Sequence, residues 1–139
     1  MRNERAVYGG EMSAHHYFRD FAYCDSGMVP WLLIVELISK SGCSLGDLTC
    51  KRFEKFPSSG EINFTVADAS ASMARVDAAY KGRALSIDKM DGLSFDCGEW
   101  RFNLRKSNTE SLVRLNLEER GNSSELERRI AELSELISG

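Results

Sequence analysis

Hydrophobic and polar positions alternate strictly on both sides of a short polar stretch, residues 105–110. Before it, the apolar members of the alternation are Trp100, Phe102 and Leu104. After it, they are Val113, Leu115 and Leu117. A period of two is the pattern of a β-strand with one buried face. The polar stretch is therefore predicted to join two neighbouring antiparallel strands through a tight connection.

The pattern around these two strands predicts a complete α+β unit. Residues 62–66 alternate as a strand, and residues 70–80 show helical spacing, with Gly82 as the C-cap candidate. Two short strands at 85–87 and 93–95 flank an Asp-Gly turn. Ser124 and Glu127 form a capping box before an apolar helical stripe. The order strand, helix, four strands, helix predicts a single antiparallel sheet with helices on one face.

The first part of the chain has a different pattern. Residues 6–8 form a short apolar stretch that ends at two glycines, which predicts the end of a strand entering a loop. Residues 31–38 are apolar on nearly every side, so the helix they predict should be buried on most of its faces. A shorter amphipathic helix follows, marked by Leu45, Leu48, Phe53 and Phe56.

These elements predict two domains. One strand end and one apolar helix cannot bury themselves alone, so residues 1–56 are interpreted as the remnant of a larger α/β domain. Residues 57–60, with the sequence Pro-Ser-Ser-Gly, are the predicted linker. Residues 61–139 are then the α+β domain.

Composition narrows the class of protein. The chain has 139 residues, 42% hydrophobic and 28% charged, which is typical of a globular protein. A net charge of −3 argues against a chain drawn to nucleic acid or to an anionic membrane. No signal peptide is recognised, and the longest apolar run falls short of the ~20 residues that span a bilayer. The four cysteines show no Cys-x-x-Cys pair, which favours free thiols in the cytoplasm over a metal site built with Cys43 and Cys50.

The polar stretch between the two late strands has the chemistry that binds phosphate. Arg105 offers a guanidinium that can hold two oxygens, and Ser107 and Thr109 offer hydroxyl groups. Asn108 adds a side-chain amide, and successive backbone N–H groups in a turn can bind an anion. The alternative is an ordinary hairpin turn, because Ser, Asn and Thr are common turn residues.

This stretch also resembles a known motif. Arg105-x-Ser107-Asn108-Thr109-Glu110, followed by Val113-Arg114-Leu115-Asn116, is similar to the phosphate-binding loop in the last domain of the α-D-phosphohexomutases. The nearest branch is the bacterial phosphomannomutase/phosphoglucomutase branch. Ser111 stands where that family usually carries Pro. The resemblance implies that Arg105, Ser107, Asn108 and Thr109 bind a phosphate.

A second motif near the N-terminus resembles the same family. Residues 10–15, Gly-Glu-Met-Ser-Ala-His, are similar to the sugar-contacting Gly-Glu-x-Ser-Gly-His loop of its third domain. The resemblance implies that Glu11 and Ser13 bond to adjacent sugar hydroxyls and that His15 lies beside them. Ala14 replaces the commoner Gly, and no role transfers to His16. A hydrolase with Ser13 as nucleophile and His15 as base is a weaker alternative, because no nucleophile-elbow pattern surrounds them.

Together the motifs imply the end of domain three plus all of domain four, the latter with a TATA-box-binding-protein-like fold. The whole enzyme would interconvert hexose 6-phosphate and hexose 1-phosphate, mannose favoured, with Mg²⁺ and a hexose 1,6-bisphosphate intermediate. The family's phosphoserine and Asp-rich magnesium loops lie in its first two domains, so neither catalytic nor metal-binding residues are expected here. The chain alone should be inactive, and its partners should be a phosphosugar and the upstream domains.

Two other functions remain as alternatives. The apolar helix at residues 31–38 could drive self-association or docking in a non-catalytic binding module. The basic residues near the predicted sheet, Arg101, Arg105, Lys106 and Arg114, could bind nucleic acid, but the acidic total and the absence of an aromatic–basic stacking motif disfavour this.

Overall fold

The computed structural model describes residues 1–11, 13–107, 109–121 and 123–139, which form two compact units, 1–48 and 49–139. The strands are β1 (Tyr8–Gly10), β2 (His16–Phe18), β3 (Cys24–Asp25), β4 (Ser58–Thr65), β5 (Ser86–Asp88), β6 (Leu93–Asp96), β7 (Trp100–Lys106) and β8 (Leu112–Glu119). The α-helices are α1 (Met28–Ser41), α2 (Leu45–Lys55), α3 (Ala69–Tyr80) and α4 (Ser123–Ser138), and a 3-10 turn covers Arg19–Phe21.

The second unit is the predicted α+β domain. Its five strands lie in the order β4-β8-β7-β6-β5, and every neighbouring pair is antiparallel. The apolar residues of β7 and β8 form the core with α3 and α4, and Leu104, Leu115 and Leu133 are fully buried. Tyr80 of α3 packs its ring edge-on against Phe102, with 4.9 Å between centroids. The predicted fold class and element order are confirmed.

Three local predictions differ from the structure. Residues 58–60 belong to β4 instead of a linker, since Ser58 already pairs with Glu118. Gly82 is not a left-handed C-cap: the cap of α3 is Lys81, which has helical dihedrals. Leu85 precedes β5 and is 77% exposed, because only its backbone N–H joins the sheet, by donating to the carbonyl of Asp96.

The first unit contains a small antiparallel sheet in the order β1-β2-β3, followed by α1. The glycines predicted to begin a loop, Gly9 and Gly10, instead pair with Tyr17 and His16. The loop between β1 and β2 is therefore tighter than predicted.

The expectation that α1 is buried on most of its faces is wrong for this chain. None of its residues is buried, and Trp31 and Leu33 are 57% and 51% exposed. The physical reason is that this unit has no buried core into which α1 could pack, since none of its described residues is buried. Within the described residues no single helix is long and apolar enough to cross a membrane, and α1 and α2 reach that length only as a pair bent by 96°.

Candidate functional site

An open cleft of about 660 Å³ lies where β7 ends and β8 begins. The turn between β5 and β6 and the first residues of α3 also line it. Its lining residues include three with cationic side chains, Arg105, Lys106 and Arg114, of which Arg105 and Arg114 lie on the same face of the sheet. It also includes three hydroxyl side chains, Ser70, Ser107 and Thr109. Cations and hydroxyl donors around one space are suited to bind an anion with several oxygens.

The sheet places two of these cations directly opposite each other. Arg105 of β7 and Arg114 of β8 are register partners, and both side chains line the cleft. Like charges in directly opposed positions destabilise a sheet. Among the described residues each guanidinium has one carboxylate partner, at long range for an ion pair: Arg105 Nη1 lies 3.4 Å from Asp91 and Arg114 Nη1 lies 3.7 Å from Glu61. The Nε of Arg114 is buried and has no hydrogen-bond partner among the residues that the structure describes. A bound anion would satisfy both arginines at once.

The connection between the strands is held by its own hydroxyl groups. Ser107 Oγ accepts from the backbone N–H groups of Thr109 and Glu110, each at 3.3 Å. The N–H of Ser107 donates to the carbonyl of Leu112 at 2.9 Å and closes the loop. The two 3.3 Å contacts are longer than the usual N–H···O distance, so they are weak. An anion could replace them at small cost.

The turn between β5 and β6 forms the opposite wall. Gly92 has φ +79°, and a Cβ added there would lie 2.2 Å from the carbonyl oxygen of Leu104. Only glycine fits such an approach to β7. The turn therefore holds Asp91 beside Arg105.

Of the four predicted phosphate-binding residues, Arg105, Ser107 and Thr109 line this one cleft, and Asn108 lies outside the described residues. Sequence reasoning left out Arg114, Lys106 and Ser70. Arg114 was within reach of that reasoning, because the period of two places it on the same sheet face as Arg105 once the register is known.

The second predicted group lies in the loop between β1 and β2. The carboxylate of Glu11 accepts from Tyr17 Oη at 2.6 Å and from Ser13 Oγ at 3.1 Å. These hydrogen bonds, the one from Tyr17 first, hold the pKa of Glu11 below its ordinary value. Glu11 therefore stays ionised, and each oxygen keeps a lone pair that can accept from a ligand hydroxyl.

His15 is oriented by a carboxylate. Its Nδ1 lies 2.7 Å from Asp25 Oδ2, and the other oxygen of Asp25 accepts from the backbone N–H of His16. The hydrogen bond to Asp25 raises the pKa of His15, and the same bond lowers the pKa of Asp25. His15 is thus charged over more of the neutral range than a free histidine, with Nε2 left for another partner.

The contacts of this loop bear on the hydrolase alternative and on the part played by His16. Ser13 bonds to Glu11 and not to His15, so the serine–histidine pair of a hydrolase is absent from the described contacts. His16, which had no assigned role, places its Nδ1 2.7 Å from Tyr8 Oη and stacks on that ring. Its role is to join β1 and β2.

The described residues do not fit a metal ion. No group of three or more His, Cys, Asp or Glu side chains among them is arranged to hold one. The four cysteines are free thiols.

Comparison with known families identifies the class of protein. Residues 1–56 match the model described as phosphoglucomutase/phosphomannomutase, alpha/beta/alpha domain III. Residues 61–136 match the model of the C-terminal domain of the same family. The chain belongs to the phosphoglucomutase/phosphomannomutase family, and it corresponds to the C-terminal part of these proteins.

Individual relatives agree with this assignment. The chain is 63% identical to a protein named "Phosphohexose mutases" of Xanthomonas campestris pv. campestris (strain B100), over 100% of this chain and 31% of the relative. It is 56% identical to a phosphomannomutase of Salmonella montevideo, over 99% of this chain and 30% of that protein. For the phosphomannomutase of Escherichia coli (strain K12) the identity is 52%, again over 99% and 30%. The chain thus spans about a third of the length of these curated relatives.

A solved structure shows the same fold. The crystal structure of a phosphoglucomutase/phosphomannomutase family protein from Burkholderia thailandensis matches with a TM-score of 0.68 and 21% identity. The match covers 98% of this chain and 29% of that structure.

Proposed function

We propose that this chain is the substrate-binding C-terminal portion of a phosphomannomutase-type phosphohexomutase. The observation that carries the proposal is the cleft in which Arg105 and Arg114 face each other with only distant carboxylate partners. A phosphate between them would receive charge-assisted hydrogen bonds from both. The sequence similarity to phosphomannomutases supports the choice of ligand.

The cleft would hold the phosphate that does not react. Arg105 and Arg114 would neutralise its charge, Ser107 and Thr109 would donate through their hydroxyl groups, and Thr109 would also donate through its backbone N–H. Asn108, outside the described residues, is proposed to add its side-chain amide. Binding energy from a group that does not react can hold a substrate in position for chemistry elsewhere.

The loop of the first unit would bind sugar hydroxyls. Glu11 is ionised and pre-oriented by Tyr17, so it can accept from hydroxyl groups. Ser13 can donate or accept, and His15 can donate through Nε2. These three residues are proposed as the sugar-binding group.

The activity of the whole enzyme would be interconversion of mannose 6-phosphate and mannose 1-phosphate in the cytoplasm. Mg²⁺, a hexose 1,6-bisphosphate intermediate and upstream domains would be required, with the metal ligands outside this chain. The chain alone would be catalytically silent. A coupled assay of the purified 139-residue chain with mannose 1-phosphate should give no turnover, and turnover above background would contradict this assignment.

The phosphate role is tested by calorimetry with inorganic phosphate and with mannose 1-phosphate. Arg105→Ala should weaken binding by about 1.5–3 kcal/mol, the contribution of a hydrogen bond to a charged group. Arg101→Ala is the matched control, because Arg101 lies on the same strand but pairs with Glu118 outside the cleft. If the Arg105 variant and the control bind phosphate with equal affinity, Arg105 does not bind the phosphate.

A second candidate function is self-association through α1. Four of its large apolar residues are more than half exposed, Met28, Trp31, Leu32 and Leu33, which is unusual for so contiguous a patch. Sedimentation velocity should then show a concentration-dependent dimer of two chains that Leu32→Lys disperses. A monomer across the concentration range would dismiss this function.

A further inference from the structure

We propose that Asp91 is a resident counter-ion of the cleft, which competes with the ligand's phosphate for Arg105 and thereby limits anion affinity. The inference rests on the proposed function, since it concerns the same cleft. It assigns Asp91 a role opposite to that of its basic neighbours: removing its charge should tighten binding.

Asp91 lies close enough to Arg105 to compete with a bound anion. Its Oδ2 lies 3.4 Å from Nη1 of Arg105, and the carboxylate is 74% exposed at the rim of the cleft. Arg105 itself is only 34% exposed, so its guanidinium has few other directions in which to find a partner. A phosphate that binds Arg105 must share or displace this carboxylate.

The backbone around Asp91 does not allow the residue to withdraw. The carbonyl of Asp91 accepts from Asn103 Nδ2 at 2.8 Å. The next residue, Gly92, is in close contact with the backbone of Leu104 at a positive φ. Only the side chain of Asp91 can rotate, and within that reach its charge stays near any anion in the cleft.

The other charges do not cancel this effect. Lys106 and Arg114 also line the cleft and attract an anion, while Glu61 is the carboxylate that faces Arg114. Glu61 pairs with a different arginine and lies on β4, so it does not occupy the position in front of Arg105. Among these groups, Asp91 is the negative charge held next to Arg105.

Coulomb's law gives the size of the effect. A carboxylate about 6 Å from a phosphate dianion in a water-like dielectric weakens binding about tenfold. Screening over a Debye length of about 10 Å at 0.1 M salt reduces this to about three- to fourfold. The gain on removing the charge should therefore be large at low salt and small at high salt.

The test is calorimetric titration of the 139-residue chain with inorganic phosphate at 10 mM and 100 mM ionic strength. Asp91→Asn keeps the shape of the side chain and removes its charge. It should bind phosphate about sevenfold more tightly than the wild type at 10 mM ionic strength, with a gain of about three- to fourfold at 100 mM. Unchanged or weaker binding, or a gain independent of salt, would overturn the proposal.

Matched variants separate this inference from the proposed function. Glu118→Gln removes one negative charge from the Arg101 pair of the same sheet, outside the cleft, and should leave phosphate affinity unchanged. If Arg105→Ala loses binding but Asp91→Asn does not gain it, the proposed function stands and the counter-ion role fails. If Arg105→Ala does not alter binding either, the proposed function fails as well.

Discussion

Replacing Arg114 with Met should move stability and phosphate binding in opposite directions. The substitution removes the repulsion between Arg105 and Arg114, which are directly opposed across β7 and β8. Such like-charge pairs cost about 0.2–1 kcal/mol. It also removes the buried Nε of Arg114, which has no partner within the described part of the chain and costs about 1–3 kcal/mol. Against this stands only the loss of a half-exposed pair with Glu61 at 3.7 Å, which contributes about 0–1 kcal/mol.

The expected result is a free energy of unfolding raised by about 0.2–4 kcal/mol, together with phosphate binding weakened by about 1.5–3 kcal/mol. Urea unfolding followed by tryptophan fluorescence measures the first quantity. Trp100 is 7% exposed in the core of the second unit, whereas Trp31 is already 57% exposed, so the change reports mainly on the second unit. Calorimetric titration with phosphate measures the second.

Arg101→Met is the control, because Arg101 lies opposite Glu118 on the same two strands and forms a favourable pair. It should lower stability by up to about 1 kcal/mol and leave phosphate binding unchanged. If Arg114→Met loses more than about 1 kcal/mol of stability, Arg114 is a structural residue and the reasoning about strain from like charges is wrong.

Three further predictions concern groups outside the cleft. Ala14 has φ +62°, so Ala14→Gly should stabilise its loop by about 1 kcal/mol, measured as slower hydrogen exchange of the Glu11 amide. Asp25→Asn should lower the pKa of His15 towards 6.5 in an NMR titration. In the wild type the ion pair of His15 with Asp25 stabilises the loop below pH 6.5, and this stabilisation is lost as pH rises through the raised pKa. The hydrogen bond from Arg83 lowers the pKa of Glu132. The contribution of this pair to the free energy of unfolding is therefore present above pH 4.5 and is lost as pH falls through the lowered pKa. In Glu132→Gln the free energy of unfolding should fall less steeply as the pH is lowered.

A different result would contradict each of these three predictions. Faster exchange in the Ala14 variant would mean that the methyl group itself stabilises the loop. An unchanged His15 titration would mean that Asp25 does not hold the imidazole in solution. If the free energy of unfolding of Glu132→Gln falls as steeply at acid pH as that of the wild type, other carboxylates cause the acid unfolding.

The pattern of the chain was sufficient to predict the second unit. Alternation in residues 100–104 and 113–117 identified the two central strands, and the residues on the buried face are the ones the pattern selected. The hydrophobic period is a direct consequence of burial on one face, so it is readable without the structure. The same alternation predicts which residues lie on the exposed face of the two strands, but it does not predict which of them are register partners.

The parts that the sequence did not predict depend on contacts distant along the chain. The opposition of Arg105 and Arg114 follows from the register of β7 and β8, which is fixed by the length of the loop between them. Asp91 reaches Arg105 because Gly92 packs against Leu104, an approach that no local pattern encodes. The exposure of α1 was missed for a different reason: an apolar pattern predicts that a helix needs a partner surface, not that this chain supplies one.

Anion binding where β7 ends and β8 begins is tested most directly by NMR mapping of that site. In a titration of the ¹⁵N-labelled chain with mannose 1-phosphate, the backbone amides of Ser107, Thr109 and Glu110 should shift together with one dissociation constant. Amides around Glu99 and Arg120, at the other end of the same strands, should not. Shifts confined to that other end, or none at all in the loop, would contradict the assignment of this cleft.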